Sequence, residues 1–248
     1  MMNKPFRTIG LILLILGTSL LAFLGFFSIW GDIEAFVFNA AIKSDRSLSS
    51  LRCPAIITPK DNPFVSARIS NPSDRELEML IRTNISDGFV ILMREVPTTI
   101  TLKPGESEII RVPINIEDAA YDRVVLVRMH QISRGSLPYK NASCGVIVFN
   151  LPWITGRQLV SAFLGLGTIL SAIGLVLLSN NQKIISKEQL ISFRLLIGFT
   201  LISLLLATIG LQGWWLLGLL FGTVWLLLGI GLISQTMMKS QRNIEMSG

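Results

Sequence analysis

Residues 9–30 read IGLILLILGTSLLAFLGFFSIW, a run with no charged side chain. As a helix rising ~1.5 Å per residue, it is long enough to cross the ~30 Å hydrocarbon core of a bilayer. Three further charge-free runs follow, Gln158–Ser179, Leu195–Gln212 and Trp214–Ser234. Most of the charge lies in residues 31–157, between the first run and the second. The predicted fold class is therefore membrane α-helical, with four transmembrane helices, plus an all-β domain inserted between the first and second helices. The expected organisation is 1–30, a cytoplasmic N-terminus and first span; 31–50, an interfacial helix and linker; 51–152, an extracytoplasmic β-sandwich; and 153–248, the second span, a cytoplasmic loop, a hairpin of the third and fourth spans, and a cytoplasmic C-terminus.

Half of the residues are hydrophobic and 15% are charged, against about 25% charged in a soluble domain. A net charge of +6 and an isoelectric point near 9.7 suggest a nucleic-acid partner until the basic residues are located. Lys4, Arg7, Lys183, Lys187, Arg194, Lys239 and Arg242 flank the apolar runs with only Glu188 and Glu245 beside them, a local excess of +5. The large domain carries 15 basic and 14 acidic residues, or +1. The basicity is juxtamembrane, so no nucleic-acid partner is expected; membrane lipid and other membrane-protein subunits are.

Lys and Arg near span ends favour the cytoplasm. Both termini and the 180–194 loop are then expected inside a cell membrane, and residues 31–157 outside it. On this topology Trp30, Trp153, Trp214 and Trp215 fall at outer span ends, where an indole keeps its ring apolar and its N–H solvated. Trp225 alone is mid-span. The first run is longer than the about 7–15 residues of a signal-peptide core, and no small-x-small cleavage site follows, so a retained anchor is expected.

Ile33, Phe36, Val37, Ala40 and Ala41 have helical spacing, which predicts a short amphipathic helix on the outer membrane surface or an extension of the first span. Residues 44–50 read as a polar linker. From about Leu51 the period becomes two. Val65, Ala67 and Ile69 alternate with polar neighbours, then Leu77, Met79 and Ile81, then Ile110, Val112 and Ile114, then Val125, Val127 and Met129. Between them, Asn71-Pro72-Ser73-Asp74 and Lys103-Pro104-Gly105-Glu106 read as turns; Pro then Gly is the type II pairing. Several short strands at such spacing predict an antiparallel β-sandwich. In the membrane half, Ser186 and Gln189 form a capping box with Ile185 and Leu190 as its staple, placing the third helix start near Lys187.

The two turns between alternating strands, Ile69-Ser70-Asn71-Pro72-Ser73-Asp74 and Leu102-Lys103-Pro104-Gly105-Glu106, resemble those of membrane-tethered bacterial domains of the immunoglobulin-like class. The resemblance covers roughly residues 51–150. It implies an immunoglobulin-like β-sandwich serving as a binding or spacing module, with no single activity. The chain departs from the antibody pattern in having no tryptophan between Trp30 and Trp153.

Cys53 and Cys144, the only cysteines, bracket the β-domain. A structural disulfide is the expectation outside the cytoplasm; a free buried thiol pair and redox or metal chemistry are the alternatives. His130 is the only histidine, read as a surface or partly buried strand residue. With it alone there is no set of transition-metal ligands and no Ser-His-Asp relay, so neither a cofactor nor catalysis is expected. Arg128, His130, Arg134 and Lys140 are weighed as a basic patch against an ordinary mixed-charge surface. Phe89-Val90-Ile91-Leu92-Met93 reads first as a central strand covered on both faces; the other reading makes Phe89, Ile91 and Met93 an exposed edge for a partner. Gly218, Gly222 and Gly229 in the fourth span, and Ser161 with Gly165 and Gly167 with Ser171 in the second, are small residues that let helices approach closely. Asn84 and Asn141 head sequons.

The function expected from these features is non-catalytic: an integral membrane protein whose extracytoplasmic β-sandwich binds or positions a partner, as an accessory or structural subunit of a membrane complex. A receptor-like module for a glycan or peptide is the alternative, with Phe64, Phe89, Tyr121 and Tyr139 as its available aromatics. The arrangement of four spans with a strand-rich first outer loop is also similar to that of claudin-like proteins, but lacks their Trp and paired-Cys signature.

Overall fold

The computed structural model describes residues 4–39, 46–133, 138–180 and 187–245. Helix α1 (Lys4–Val37) is followed by strands β1 (Arg46–Ser47), β2 (Ile56–Ile57), β3 (Phe64–Ser70), β4 (Leu77–Asp87), β5 (Phe89–Leu102) and β6 (Ser107–Pro113). A 3-10 turn (Ile116–Asp118), β7 (Val124–Ser133) and β8 (Lys140–Val148) lead to helices α2 (Gly156–Asn180), α3 (Lys187–Leu211) and α4 (Trp215–Glu245). The chain divides into two compact units, Met1–Phe26 with Ser161–Gly248, and Phe27–Val160.

In the helical unit, all four helices contribute a segment long and apolar enough to cross a membrane. Without water between helices, packing rests on close backbone approach and interhelical hydrogen bonds. A Cβ on Gly17 would collide with Ser171 and with the Gly167 carbonyl, and one on Gly25 with the Leu206 backbone. Mid-span Trp225 is satisfied within this unit. Its Nε1–H donates to Ser203 Oγ at 2.8 Å, its ring stacks on Phe199 with centroids 5.1 Å apart, and Phe26 meets its edge at 5.8 Å. Helix α3 starts at Lys187 as expected; Ser186 and Ile185 lie outside the described residues.

The other unit is a β-domain of two sheets. One is the antiparallel pair β3–β6; the other has the order β1-β8-β7-β4-β5 with β2 also on β8. The alternating positions point inward: Val65, Ala67 and Ile69 of β3, Ile110 and Val112 of β6, Met79 and Ile81 of β4, and Val125, Val127 and Met129 of β7 belong to one buried core. The larger sheet is mixed, not antiparallel as expected, because β1 and β2 pair with β8 in parallel. Each has only two residues, too few to leave an alternation in the sequence.

The two turns are laced together. Asn71 Nδ2 donates to the carbonyls of Arg75 and Leu102, both at 2.8 Å, while Oδ1 accepts from the Ser73 N–H and hydroxyl. Glu106 N–H closes on the Lys103 carbonyl at 3.0 Å with Gly105 at φ +74°, the type II geometry that glycine permits.

Of the two expectations for residues 31–37, a separate interfacial helix or an extension of the first apolar helix, the second holds: α1 runs unbroken past Trp30. Its 34 residues extend about 50 Å, well beyond a hydrocarbon core. It ends where Asn39, at φ +47°, takes up a left-handed C-terminal position.

Candidate functional site

Within the β-domain, the last turns of α1 are held by β7 and β8. Strand β1 pairs with β8 at Lys140 and Asn141, and β2 pairs with it at Ile147 and Val148. Two groups fill the interval. The Cys53–Cys144 disulfide crosses it, with Cα atoms 6.5 Å apart. Asp32 of α1 reaches in, its Oδ1 accepting the Gly145 N–H at 3.2 Å. Any side chain at position 145 would strike the Gly31 carbonyl, so glycine is required for this approach. Higher on the same face, Arg128 Nη1 donates to the carbonyls of Phe38 (2.9 Å) and Phe36 (3.2 Å). This places a cation on the carbonyls that a helix end leaves free, at the negative end of its dipole.

Arg128 and His130 are therefore buried rather than part of a basic surface patch. Lys140 is half-buried, and Arg134 lies outside the described residues. Desolvation lowers the Arg128 pKa from its ordinary value. His130 falls to about 4, first through burial and then through repulsion by Arg128 and Arg82, and its Nε2 makes no hydrogen bond. The histidine was expected as a surface or partly buried strand residue; it is fully buried, 2% exposed. Asn84 of β4 is also buried, so its sequon is sequestered.

The second feature is β5. It is the end strand of the larger sheet, not a central one. Phe89, Ile91, Leu92 and Met93 are exposed, which corrects the expectation of burial on both faces. The pairing explains it. Ser86 pairs with Met93 while the next residue, Asp87, pairs with Phe89, so Val90, Ile91 and Leu92 bulge outward from the ladder. The base of the bulge is fixed by Arg94, whose Nε and Nη2 donate to the two carboxylate oxygens of Asp118, each at 2.7 Å. That bidentate contact raises the Arg94 pKa. Asp118 also accepts the Asn115 N–H at 2.7 Å, and its carbonyl accepts the Ser86 hydroxyl at 2.6 Å.

The third feature is an open groove of about 320 Å³ lined by residues including Arg52, Asp61, Asn62, Phe64 and Arg157. Asp61 Oδ2 accepts the N–H groups of Thr58 and Gly156, both at 2.8 Å, tying the groove wall to the first residue of α2. Arg111 covers the Phe64 ring at 5.4 Å. Phe89, Tyr121 and Tyr139 are not among its lining residues. Among the described residues no group of His, Cys, Asp and Glu is arranged to hold a metal.

Of the small residues in the spans, Gly218 and Gly222 are buried, and a Cβ on Gly222 would meet the Phe26 ring. Gly229 lies nearer Phe199, while Ser161 and Gly165 face outward, with nothing near Gly165. The second span instead uses Gly167 and Ser171 against Gly17, and Gly174 against Gly10 and Leu14.

No protein-family model matches the chain, and no curated protein matches it significantly. Solved structures that overlap it include a cycloisomaltooligosaccharide glucanotransferase of Paenibacillus sp., at 11% identity and a TM-score of 0.32, covering 43% of this chain and 14% of the enzyme. Another is β-glucuronidase 2 of Bacteroides uniformis, at 12% identity and a TM-score of 0.31, covering 39% and 12%. The chain thus spans a small fraction of each enzyme's length, and likeness at this level passes neither fold family nor activity to it.

Proposed function

We propose that the chain is a non-catalytic multi-pass membrane protein whose extracytoplasmic β-domain binds or positions a partner, as an accessory or structural subunit of a membrane complex. The observation that carries this reading is the grip of β7 and β8 on the end of α1. That grip places Asp32 and Arg128 out of water, a desolvation cost that a domain displayed on a loose tether would not need. It suits a module whose position matters. The strand orders β8-β7-β4-β5 and β3-β6 favour an immunoglobulin-like sandwich, corresponding to G-F-C-C′ against B-E. The juxtamembrane Lys and Arg favour cytoplasmic termini and an external β-domain in the cell membrane.

The test is affinity purification of the full chain from its native membrane in mild detergent, followed by mass spectrometry. Stoichiometric co-purifying membrane proteins are expected. A clean single species would overturn the accessory-subunit reading. It would favour a second one, an extracytoplasmic receptor for a glycan or peptide, for which the groove beside Arg52, Asp61 and Arg157 is the place.

A further inference from the structure

The sheet register sets one end of the β-domain apart. Val124 pairs with Ile147, Ile85 pairs with Val127, and Asp87 pairs with Phe89. The end of β8, the start of β7 and the β4–β5 turn therefore lie together. From that end the chain leaves β8 through Phe149, Leu151 and Trp153 and begins α2 at Gly156. At that same end Phe27 of α1 meets Phe149, with ring centroids 6.5 Å apart. Both points where the β-domain joins a span are thus at the end that carries the Phe89–Met93 bulge.

The exposed side chains there are those a headgroup region accepts. Ile91 is 84% exposed and Trp153 71%. Tyr121 is also exposed, and its N–H donates to the Gly88 carbonyl at 3.3 Å, which holds it beside the turn. Aromatic residues with one polar atom favour the membrane interface, and a contiguous apolar patch facing water is unusual. The remainder of the β5 edge is blunted against strand pairing. Arg94 is held by Asp118, Glu95 pairs with Arg82 at 3.3 Å, and Pro97 offers no N–H. An edge so protected argues against a second copy as the occupant. Asp87, Asp122 and Arg123 around the bulge are exposed and of mixed sign, so attraction there is apolar rather than ionic.

We propose that Phe89–Met93 is a wedge that dips into the outer leaflet of the bilayer crossed by the protein's own helices, with Tyr121 and Trp153 at headgroup depth. The proposal does not depend on the accessory-subunit reading and survives its failure. The test places a photo-reactive residue in the full chain, Ile91→p-benzoylphenylalanine, and a control, Ser73→p-benzoylphenylalanine, in the Asn71–Asp74 turn at the opposite end of the sheet. Ile91 is exposed and Ser73 partly exposed in a turn outside the buried core, and both variants are expected to keep the Cys53–Cys144 bond. After irradiation in native membranes, a phospholipid adduct is expected at position 91 in several-fold excess over position 73. In phosphatidylcholine nanodiscs its yield is expected to be unchanged when phosphatidylglycerol is added. An adduct to another protein or to a second copy would overturn the proposal, as would equal lipid yield at the two positions or a yield that requires anionic lipid.

Discussion

His130 and Arg128 stand two residues apart on one face of β7, and both are buried. Since the His130 pKa is lowered from 6.5 to about 4, the folded state favours neutral imidazole. The resulting stability is fully present above pH 6.5 and is lost as pH falls from 6.5 towards 4, by about 3 kcal/mol in all. Melting of the full chain in mild detergent at pH 7 and pH 4.5 checks this. His130→Gln is expected to lose clearly less stability over that interval than the parent; equal losses would refute the assignment. Alternation along β7 makes the core face legible as Val125, Val127 and Met129. The same alternation assigns Arg128 and His130 to solvent, because a polar residue every second position is also the mark of a wet face. For Arg128, contact with the end of α1 some ninety residues earlier reverses that reading, and no local pattern records it.

At the scale of elements, the four spans are legible because a bilayer imposes one length and one polarity on each. The Pro104–Gly105 turn is legible because one backbone geometry needs both residues. The cap of α2 was as readable as the one at Ser186. Thr155 Oγ1 accepts the Gln158 N–H at 3.3 Å, and Gln158 Oε1 accepts the Thr155 N–H at 3.0 Å, the reciprocal pattern of a capping box. Strand β5 is not legible in the same way: five consecutive apolar residues fit either a covered strand or an exposed bulge, and the choice rests on the Ser86–Asp87 register. The disulfide matters most where the pairing is thinnest, since it lies between the two-residue contacts of β1 and β2 with β8. Closing a loop of 91 residues is worth about 4–5 kcal/mol in a chain-entropy account. The double variant Cys53→Ala, Cys144→Ala is expected to unfold its β-domain at markedly lower denaturant in a reversible titration. A midpoint equal to the parent's would show the bond to be dispensable.

For the whole molecule, the distribution of Lys and Arg predicts that both termini lie in the cytoplasm. A protease-cleavable tag after Gly248 is expected to be cut in inverted membrane vesicles and protected in right-side-out ones; the reverse pattern would invert the topology. The hold of β8 on its neighbours also dictates an order of events during synthesis. Residues 31–38 leave the ribosome long before Arg128 and Gly145 exist to receive them. Strand β8 is the last to be made, yet β7, β1, β2, Cys53 and Asp32 all converge on it. The β-domain therefore stays open until residue 148 has emerged, and closes only as α2 is being made. Such late, non-local closure is slow and leaves apolar edges uncovered meanwhile. Assembly of this protein is thus timed by translation, with an interval in which a chaperone or an oxidant for Cys53 has its opportunity to act.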